Sequence, residues 1–187
     1  NADEISNVKN KFKLFENYLL YVGSIEKRKN LLTLLESLKN LPNKNLIIIG
    51  EGTSYKKECL DFIKKNKLEN RTKILSGLNL FEMACIYQDA EMLIYPSIFE
   101  GFGIPIVEAL FSKIPVITSR DGCFKEAGGE NSIYINPLSS KEITNAINKI
   151  SNDENFKKKM IEKGYNFAQN FTDKKIANNL MKVYKSL

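Results

Sequence analysis

The sequence predicts an α/β fold in which a Rossmann-like parallel sheet carries helices on both faces and is followed by C-terminal helices. Six short apolar runs alternate with stretches of helical character, and this alternation is typical of a covered parallel sheet. No strand-like run follows Pro137, so we expect the chain to end in two or three amphipathic helices, with breaks near Asn152 and near residues 171–172. The predicted strands span residues 18–22, 46–49, 73–75, 92–95, 116–118 and 133–135.

Two kinds of pattern indicate the helices. Capping residues followed three positions later by glutamate predict helix starts at Leu80 and Ser140. The pairs are Asn79 with Glu82 and Ser139 with Glu142. A helix between the first two strands is indicated by leucines at helical spacing. These are Leu31, Leu34, Leu35 and Leu38.

Length and composition are those of one soluble globular domain, because the chain has 187 residues, 43% hydrophobic and 27% charged. No apolar run approaches the ~20 residues that span a bilayer. Residues 1–17 are too polar for a signal peptide and are interpreted as a linker or an expression remnant, which leaves residues 18–187 as a single domain. Three scattered cysteines without metal-type spacing, Cys59, Cys85 and Cys123, are predicted to be reduced. We therefore expect a cytoplasmic protein.

The net charge of +6 and the pI near 9.1 raise the question of nucleic acid. Base recognition and bidentate phosphate contacts favour arginine, but the chain has only Arg28, Arg71 and Arg120, and its lysines are spread over every predicted helix. A solvated lysine surface is the better interpretation, and we expect no nucleic-acid partner. Peripheral attachment to the inner face of an anionic membrane stays open.

The most informative segment is EGFGIPIVEAL, residues 100–110, which follows a predicted buried strand. Pro105 suits the first position of a helix, so the segment is expected to run from strand to loop to helix. Gly101 and Gly103 let backbone N–H groups approach a ligand, and the positive end of the helix dipole favours phosphate. The turn is therefore a candidate anion site.

Two carboxylates flank this turn. Glu108 falls about one turn into the predicted helix, where it could accept hydrogen bonds from two neighbouring hydroxyls such as those of a ribose. Glu100 lies on the opposite side of the loop. The alternative is that Glu108 merely complements the helix dipole and that Glu100 is a solvated loop residue.

Four loops are expected at the carboxyl ends of the strands, where ligands bind in open parallel sheets: residues 23–30, 50–53, 76–79 and 96–104. The first brings Arg28 and Lys29 toward the same edge as the glycine turn. The alternative, a solvated pair that opens a helix, is disfavoured because positive charge at a helix start opposes the dipole.

Metal chemistry finds little support in the sequence. The chain has no histidine, and its nearest approach to a metal-binding Asp-x-Asp motif, Asp89 with Glu91, precedes a strand at the opposite end of the sheet. We expect no metal ion and no cofactor.

The two glutamates and the segments around them resemble the retaining glycosyltransferases of the GT-B fold, glycosyltransferase family 4, in the C-terminal half that binds the donor. The resemblance covers residue 18 to the C-terminus. Its segments are YLLYVGSIEKRKNLLTLLESL (18–38), LIIIGEG (46–52), YPSIFEGFG (95–103) and PVITS (115–119).

The resemblance implies that Glu100 acts at the sugar as the catalytic residue, that Glu108 binds the ribose, and that Lys29 contacts the diphosphate. The remaining implied donor contacts are Gly23, Ser24, Arg28, Gly50, Gly77, Leu78, Gly101, Phe102, Gly103 and Ile104. Many relatives have arginine where this chain has Ser24, which puts the usual pair of cations in doubt unless Arg28 substitutes. Contacts to the base through main-chain atoms leave uridine, guanosine and adenosine donors open.

The implied function is transfer of a sugar from a nucleoside diphosphate sugar to an acceptor hydroxyl. In the family the acceptor site lies on a preceding domain, which would be the missing partner of this chain. The donor nucleotide sugar is then a substrate and not a cofactor. Two alternatives stay open: a nucleotide-sugar epimerase of related fold, and a nucleotide-binding module without catalysis.

Overall fold

A computed structural model describes residues 1–52 and 54–186 of the chain. Its centre is a six-stranded parallel sheet in the order β3-β2-β1-β4-β5-β6, which confirms the predicted fold class. The strands are Leu19–Val22 (β1), Leu46–Ile49 (β2), Thr72–Leu75 (β3), Met92–Tyr95 (β4), Val116–Ser119 (β5) and Ile133–Ile135 (β6). Every predicted strand is present within one residue at either end.

Helices connect and cover the strands. They are Ala2–Phe12 (α1), Leu31–Lys39 (α2), Ser54–Lys65 (α3), Leu80–Asp89 (α4), Ile104–Phe111 (α5), Phe124–Gly128 (α6), Ser140–Asn152 (α7), Glu154–Ala168 (α8) and Asp173–Ser186 (α9). The breaks predicted near residues 152 and 171–172 separate α7, α8 and α9. Among the described residues, no helix is both long enough and apolar enough to cross a bilayer.

The core has two halves, one on each face of the sheet. Successive side chains of a strand point to opposite faces, so Leu19 and Tyr21 of β1 join one apolar cluster while Leu20 and Val22 join the other. All residues of β1, β2, β4 and β5 are buried, as expected for strands that helices cover on both sides.

The strand order reverses between β1 and β4, which are adjacent although more than sixty residues separate them in the chain. At such a switch point the loops that leave two neighbouring strands diverge to opposite sides and open a crevice. Here they are the loop after β1, which contains Arg28 and Lys29, and the loop after β4, which contains Glu100.

Both predicted helix starts are confirmed, at the first residues of α4 and α7. The cap of α4 is reciprocal, because the side chains of Asn79 and Glu82 each accept from the other's backbone N–H. The cap of α7 has only its first half. Ser139 accepts from the N–H of Glu142, but the carboxylate of Glu142 accepts from the N–H of Asn136 instead of closing the box.

The N-terminal segment differs from the linker expected for residues 1–17. The helix α1 begins with a capping box between Asn1 and Glu4 and packs against α4. Val8 is buried, and Lys11 approaches Glu82 of α4 to 2.5 Å. The prediction overlooked two helical signals, the pair of Asn1 and Glu4, which is of the kind that predicted α4, and the apolar residues Ile5, Val8 and Phe12 at helical spacing.

Candidate functional site

The glycine turn connects β4 to α5, as predicted. Gly103 is the N-cap of α5 and has φ 103°, a conformation that favours glycine, and no side chain caps this helix. Pro105 is its second residue and not its first, because Ile104 already has helical conformation. At Gly101 a Cβ atom would meet no atom within 4 Å, so the loop is open on that side. The uncapped N–H groups and the helix dipole can bind an anion here.

Glu100 lies at the centre of a cluster of donors from this chain. Its Oε1 is 2.6 Å from Nζ of Lys29 and accepts a hydrogen bond of 2.6 Å from Ser97. Its Oε2 is 3.1 Å from Nη1 of Arg28. The side chains of Glu100 and Lys29 are each only 10% exposed, so Glu100 is not the solvated loop residue of the alternative interpretation. The predicted approach of Arg28 and Lys29 to this loop is confirmed.

Charge and burial oppose each other at Glu100. Burial acts to raise the pKa of the carboxyl, but the hydrogen bonds from Lys29 and Ser97 and the charge of Lys29 outweigh it. The pKa of Glu100 therefore lies below its ordinary value, and the group is a carboxylate at neutral pH. Lys29 also donates to the hydroxyl of Tyr95 at 2.8 Å.

Arg28 occupies the rim of the same cluster. Its side chain is 45% exposed and it contacts Glu26, Glu100 and the carbonyl of Phe99. A guanidinium has five N–H donors, so Arg28 can accept a further anionic partner from solvent. It therefore supplies a second cation beside Lys29. Its position in the loop differs from that of Ser24, where many relatives have arginine.

Asn30 joins the two loops at the switch point. It has a left-handed backbone, φ 57°, which asparagine tolerates better than most residues. Its side-chain amide donates to the carbonyls of Pro96 and Pro137, so the segment that carries Lys29 is fixed to the loop after β4. The sequence analysis missed this residue, and a polar residue at the end of a glycine-bearing loop was the signal available.

Cys123 supports the glycine turn from the opposite side. Its thiol lies 3.2 Å from the carbonyl oxygen of Glu100 and 3.4 Å from that of Phe102. The aromatic ring of Phe102 packs edge-on against Phe171, so only its backbone faces the turn. The three cysteines are free, as predicted. Nothing in the spacing of Cys123 indicated its contact with this loop.

Glu108 lies one turn into α5, on the other flank of the loop. Its Oε2 accepts a hydrogen bond of 2.8 Å from the hydroxyl of Tyr87 in α4. The two helices form a groove of about 240 Å³, whose walls include Leu80, Met83 and Phe111 as well as Glu108. Glu108 thus faces a concave surface beside the glycine turn.

The glycines after β1 and β2 allow the loops that follow these two strands to lie in close contact. A Cβ at Gly50 would lie 2.0 Å from the carbonyl oxygen of Gly23, and one at Gly52 would lie 2.4 Å from that of Ile25. A Cβ at Gly23 would lie 3.6 Å from Nζ of Lys29, so Gly23 borders the cation cluster directly. Residue 53, the last of the predicted loop 50–53, lies outside the described residues.

Gly77 and Leu78 follow β3, which β2 separates from β1, so they are not part of the Glu100 cluster. Gly77 has φ 67° and open space around it, whereas Leu78 packs against the apolar core. The segment leads directly into α4 and so to the groove beside Glu108. Ile104, at the start of α5, is 64% exposed.

The carboxylates at the opposite end of the sheet are paired with lysines. Asp89 lies 3.3 Å from Lys9, and Glu91 lies 2.7 Å from Lys44. In the described ranges 1–52 and 54–186, no group of three or more His, Cys, Asp or Glu side chains is arranged to hold a metal ion.

Residues 3–167 match the model of the family described as glycosyl transferases group 1. The chain belongs to this family. It is 35% identical over 136 residues to the O-antigen chain mannosyltransferase RfbU of Salmonella typhimurium, covering 72% of this chain and 38% of that protein. It is 30% identical over 173 residues to an uncharacterized glycosyltransferase of Methanocaldococcus jannaschii, covering 91% of this chain and 48% of that protein. The resemblance that the sequence indicated is thus confirmed.

Solved structures agree in fold. HepE of Anabaena in complex with UDP superposes with a TM-score of 0.90 at 23% identity, covering 100% of this chain and 54% of that chain. A C-terminal domain of a group 1 glycosyl transferase from Francisella tularensis superposes with a TM-score of 0.76 at 25% identity, covering 88% of this chain and 91% of that domain. The fold is that of one half of a GT-B glycosyltransferase. The chain spans about half or less of the length of the relatives in sequence that it matches.

Proposed function

We propose that this chain is the donor-binding half of a retaining glycosyltransferase that moves a sugar from a nucleoside diphosphate sugar to an acceptor hydroxyl without a metal ion. The observation that carries this is the placement of Glu100, with Lys29 and Arg28 around its carboxylate, on one flank of an uncapped glycine turn that has Glu108 on its other flank. Cations, free N–H groups and a second carboxylate are the groups that a diphosphate joined to a ribose would require.

The diphosphate is assigned to the turn and to the two cations. Backbone N–H groups between Gly101 and Ile104 approach the phosphate oxygens, and Gly23 permits close contact beside Lys29. As the bond to the sugar breaks, negative charge grows on the diphosphate, and Lys29 and Arg28 stabilise it in the place that a metal ion takes in other enzymes. The exposed position of Arg28 offsets the absence of an arginine at Ser24.

When a donor binds, the ion pair between Lys29 and Glu100 has to exchange its contacts for contacts with the donor. Glu100 is paired with both Lys29 and Arg28, and its single negative charge balances only one of these two cations. A diphosphate carries more negative charge than a carboxylate and competes for both cations. When Lys29 moves toward the phosphate, Oε1 of Glu100 keeps Ser97 as a donor and becomes free to accept a hydroxyl of the sugar.

The nucleoside is assigned to the other flank. Glu108 accepts the ribose hydroxyls, and the base extends toward the segment that contains Gly77 and Leu78. Gly50 holds the neighbouring loop close to Gly23. One of the relatives named above is an O-antigen chain mannosyltransferase, so nucleoside diphosphate mannose is the first donor to test.

The acceptor is assigned to the remaining part of a protein about twice as long, because the relatives are about twice the length of this chain or longer. The whole enzyme would then act in the cytoplasm, where its basic surface suits an approach to the anionic inner face of a membrane.

Calorimetry with uridine, guanosine and adenosine diphosphates tests this function. We expect one of them to bind the 187-residue chain in the presence of EDTA, with modest affinity because no second domain closes over it. The matched control is Glu91→Ala, which removes a carboxylate at the opposite end of the sheet and leaves binding unchanged. Absence of binding for all three at millimolar concentration contradicts the assignment, and binding that needs magnesium or manganese contradicts its metal-independent part.

A further inference from the structure

Tyr87 and Glu108 form a contact that the sequence did not indicate. The Tyr87 side chain is 2% exposed and belongs to the core between α4 and α5, yet its hydroxyl reaches Oε2 of the half-buried Glu108 at 2.8 Å. Tyr87 supplies the one hydrogen bond that the Glu108 carboxylate accepts from the described residues, and Oε1 accepts none. One oxygen of Glu108 is therefore held and the other is available in the groove.

We propose that Tyr87 is a positioning residue that fixes the Glu108 carboxylate so that Oε1 faces the ribose hydroxyls, an assignment that rests on the function proposed above. The last torsion of a glutamate side chain is broad, so a free carboxylate samples many orientations and loses them on binding. A hydrogen bond from a rigid, buried ring removes this freedom before the ligand arrives. Tyr87 thereby makes the site selective for a nucleotide that has both ribose hydroxyls.

The direction of the Tyr87 hydrogen bond is fixed by charge. Burial raises the pKa of the Tyr87 phenol far above its ordinary value, and the charge of Glu108 and its hydrogen bond raise it further. The phenol therefore stays protonated and always donates. Since an ionised carboxylate only accepts, the lone pairs of Oε1 can accept from both ribose hydroxyls.

The geometry of the groove agrees with this role. Its α4 wall is formed by residues at helical spacing, Leu80, Met83, Ala84 and Tyr87, so Tyr87 lies at the inner end of an otherwise apolar row. Apolar side chains cannot compete for the carboxylate. Ser112, on the α5 wall, makes no side-chain hydrogen bond to Glu108 among the described residues. Tyr87 is thus the group that sets the orientation.

The test compares the tightest-binding of the uridine, guanosine and adenosine diphosphates with its 2′,3′-dideoxy analogue. For the wild-type 187-residue chain we expect the ribonucleotide to bind about tenfold more tightly or better. Tyr87→Phe should reduce this preference by about three- to tenfold while the affinity for the dideoxy analogue changes less than about twofold. Tyr87→Met, which also lacks the hydroxyl but has a different shape, should agree.

Tyr18→Phe is the matched control, because Tyr18 is a fully buried tyrosine whose hydroxyl donates to the carbonyl of Ile86, next to Tyr87. It should leave the preference unchanged. In a Glu108→Ala background, which has no preference to lose, Tyr87→Phe should have no further effect on the ratio. A purely structural role would instead weaken both ligands equally in the Tyr87 variants, and that result overturns the inference.

The same data separate the two claims. If Glu108→Ala abolishes the preference and both Tyr87 variants keep it, the role of Tyr87 is wrong and the role of Glu108 stands. If Glu108→Ala leaves the preference unchanged, the ribose assignment in the proposed function is itself wrong, and the role of Tyr87 falls with it.

Discussion

Lys29 and Glu100 form a nearly buried ion pair across the switch point of the sheet, with Nζ 2.6 Å from Oε1 although the residues are 71 positions apart. One partner follows β1 and the other follows β4, so the pair exists only because these two strands are neighbours. It places a cation and a carboxylate at the entrance of the glycine turn. The cation can bind an anionic group of a ligand, and the carboxylate can accept hydrogen bonds from its hydroxyls.

The two glutamates should differ in their effect on nucleotide binding. Glu108→Ala should weaken the binding of a nucleoside diphosphate by about 1.5–3 kcal/mol, because it removes a charged acceptor of ribose hydroxyls. Glu100→Ala should leave this affinity unchanged or raise it, because its assigned partner is the sugar and its loss frees Lys29 and Arg28 for the diphosphate. Calorimetry with the isolated diphosphate measures both. Equal losses in the two variants mean that the roles are assigned wrongly.

Substitutions at two glycines should affect different properties, one the stability of the fold and the other the binding of nucleotide. Gly50→Ala should destabilise the fold by about 2–4 kcal/mol, because its Cβ would lie 2.0 Å from the carbonyl oxygen of Gly23 and the backbone must shift. Gly101→Ala meets no atom within 4 Å and should change stability by less than about 1 kcal/mol. Its methyl group nevertheless enters the space assigned to the diphosphate and should weaken binding.

Denaturant unfolding and calorimetry of both glycine variants test this pair of expectations. A stable Gly50→Ala would show that the two loops do not approach as closely as described. A Gly101→Ala variant that binds nucleotide as the wild type does would remove the open face of the turn from the binding site.

The ion pair of Glu100 should make the free energy of unfolding depend on pH. The pKa of Glu100 is lowered on folding from an ordinary value of 4.5, so the unfolded chain binds its proton at higher pH than the folded chain does. The stability that Glu100 contributes is therefore complete above about pH 4.5 and is lost as the pH falls through the folded-state value.

Glu100→Gln should accordingly be less stable than the wild type by about 1–3 kcal/mol near neutral pH, and the difference should shrink in acid. Urea unfolding of both proteins between pH 3 and pH 7 measures it. Glu36→Gln, on the exposed face of α2, controls for the loss of one negative charge. A difference between wild type and Glu100→Gln that stays constant down to pH 3 contradicts a stabilising ion pair.

The sequence was sufficient for the strands, because each is a short run of mainly apolar residues between turn residues, and four of them, β1, β2, β4 and β5, are buried on both faces. It was also sufficient for the cap of α4 and for the glycine turn, whose residues are close together in the chain. It placed Lys29 at the same edge of the sheet as Glu100 but could not supply their ion pair, since the two residues come from the loops after different strands. Contacts of this kind follow from strand order.

Two further features, the helix α1 and the contact of Tyr87 with Glu108, were not predicted from the sequence. The segment that forms α1 was taken for a linker because most of its residues are polar, although its cap and its few apolar residues, Ile5, Val8 and Phe12, have helical spacing. Tyr87 fits the helical spacing of a core residue, and it is one by burial, yet its hydroxyl reaches the site.

Transfer of sugar to an acceptor should not occur with these 187 residues alone. The reaction needs the acceptor hydroxyl within about 3–3.5 Å of the anomeric carbon in a site shielded from water, and the proposed donor site lies at the open edge of a single sheet. We expect at most slow hydrolysis of a nucleoside diphosphate sugar, measured by release of free sugar. Robust glycosylation of an acceptor that depends on Glu100 would show that the acceptor site is built from these residues.

A nucleoside diphosphate is proposed to bind at the glycine turn between Glu100 and Glu108. An amide NMR titration of the isotope-labelled chain with the tightest-binding diphosphate, in the presence of EDTA, tests this directly. We predict that the largest shifts fall on the backbone N–H groups of Gly101, Phe102, Gly103, Ile104 and Lys29, with smaller shifts near Gly77. Shifts confined to another surface, or none at saturating nucleotide, would contradict the account.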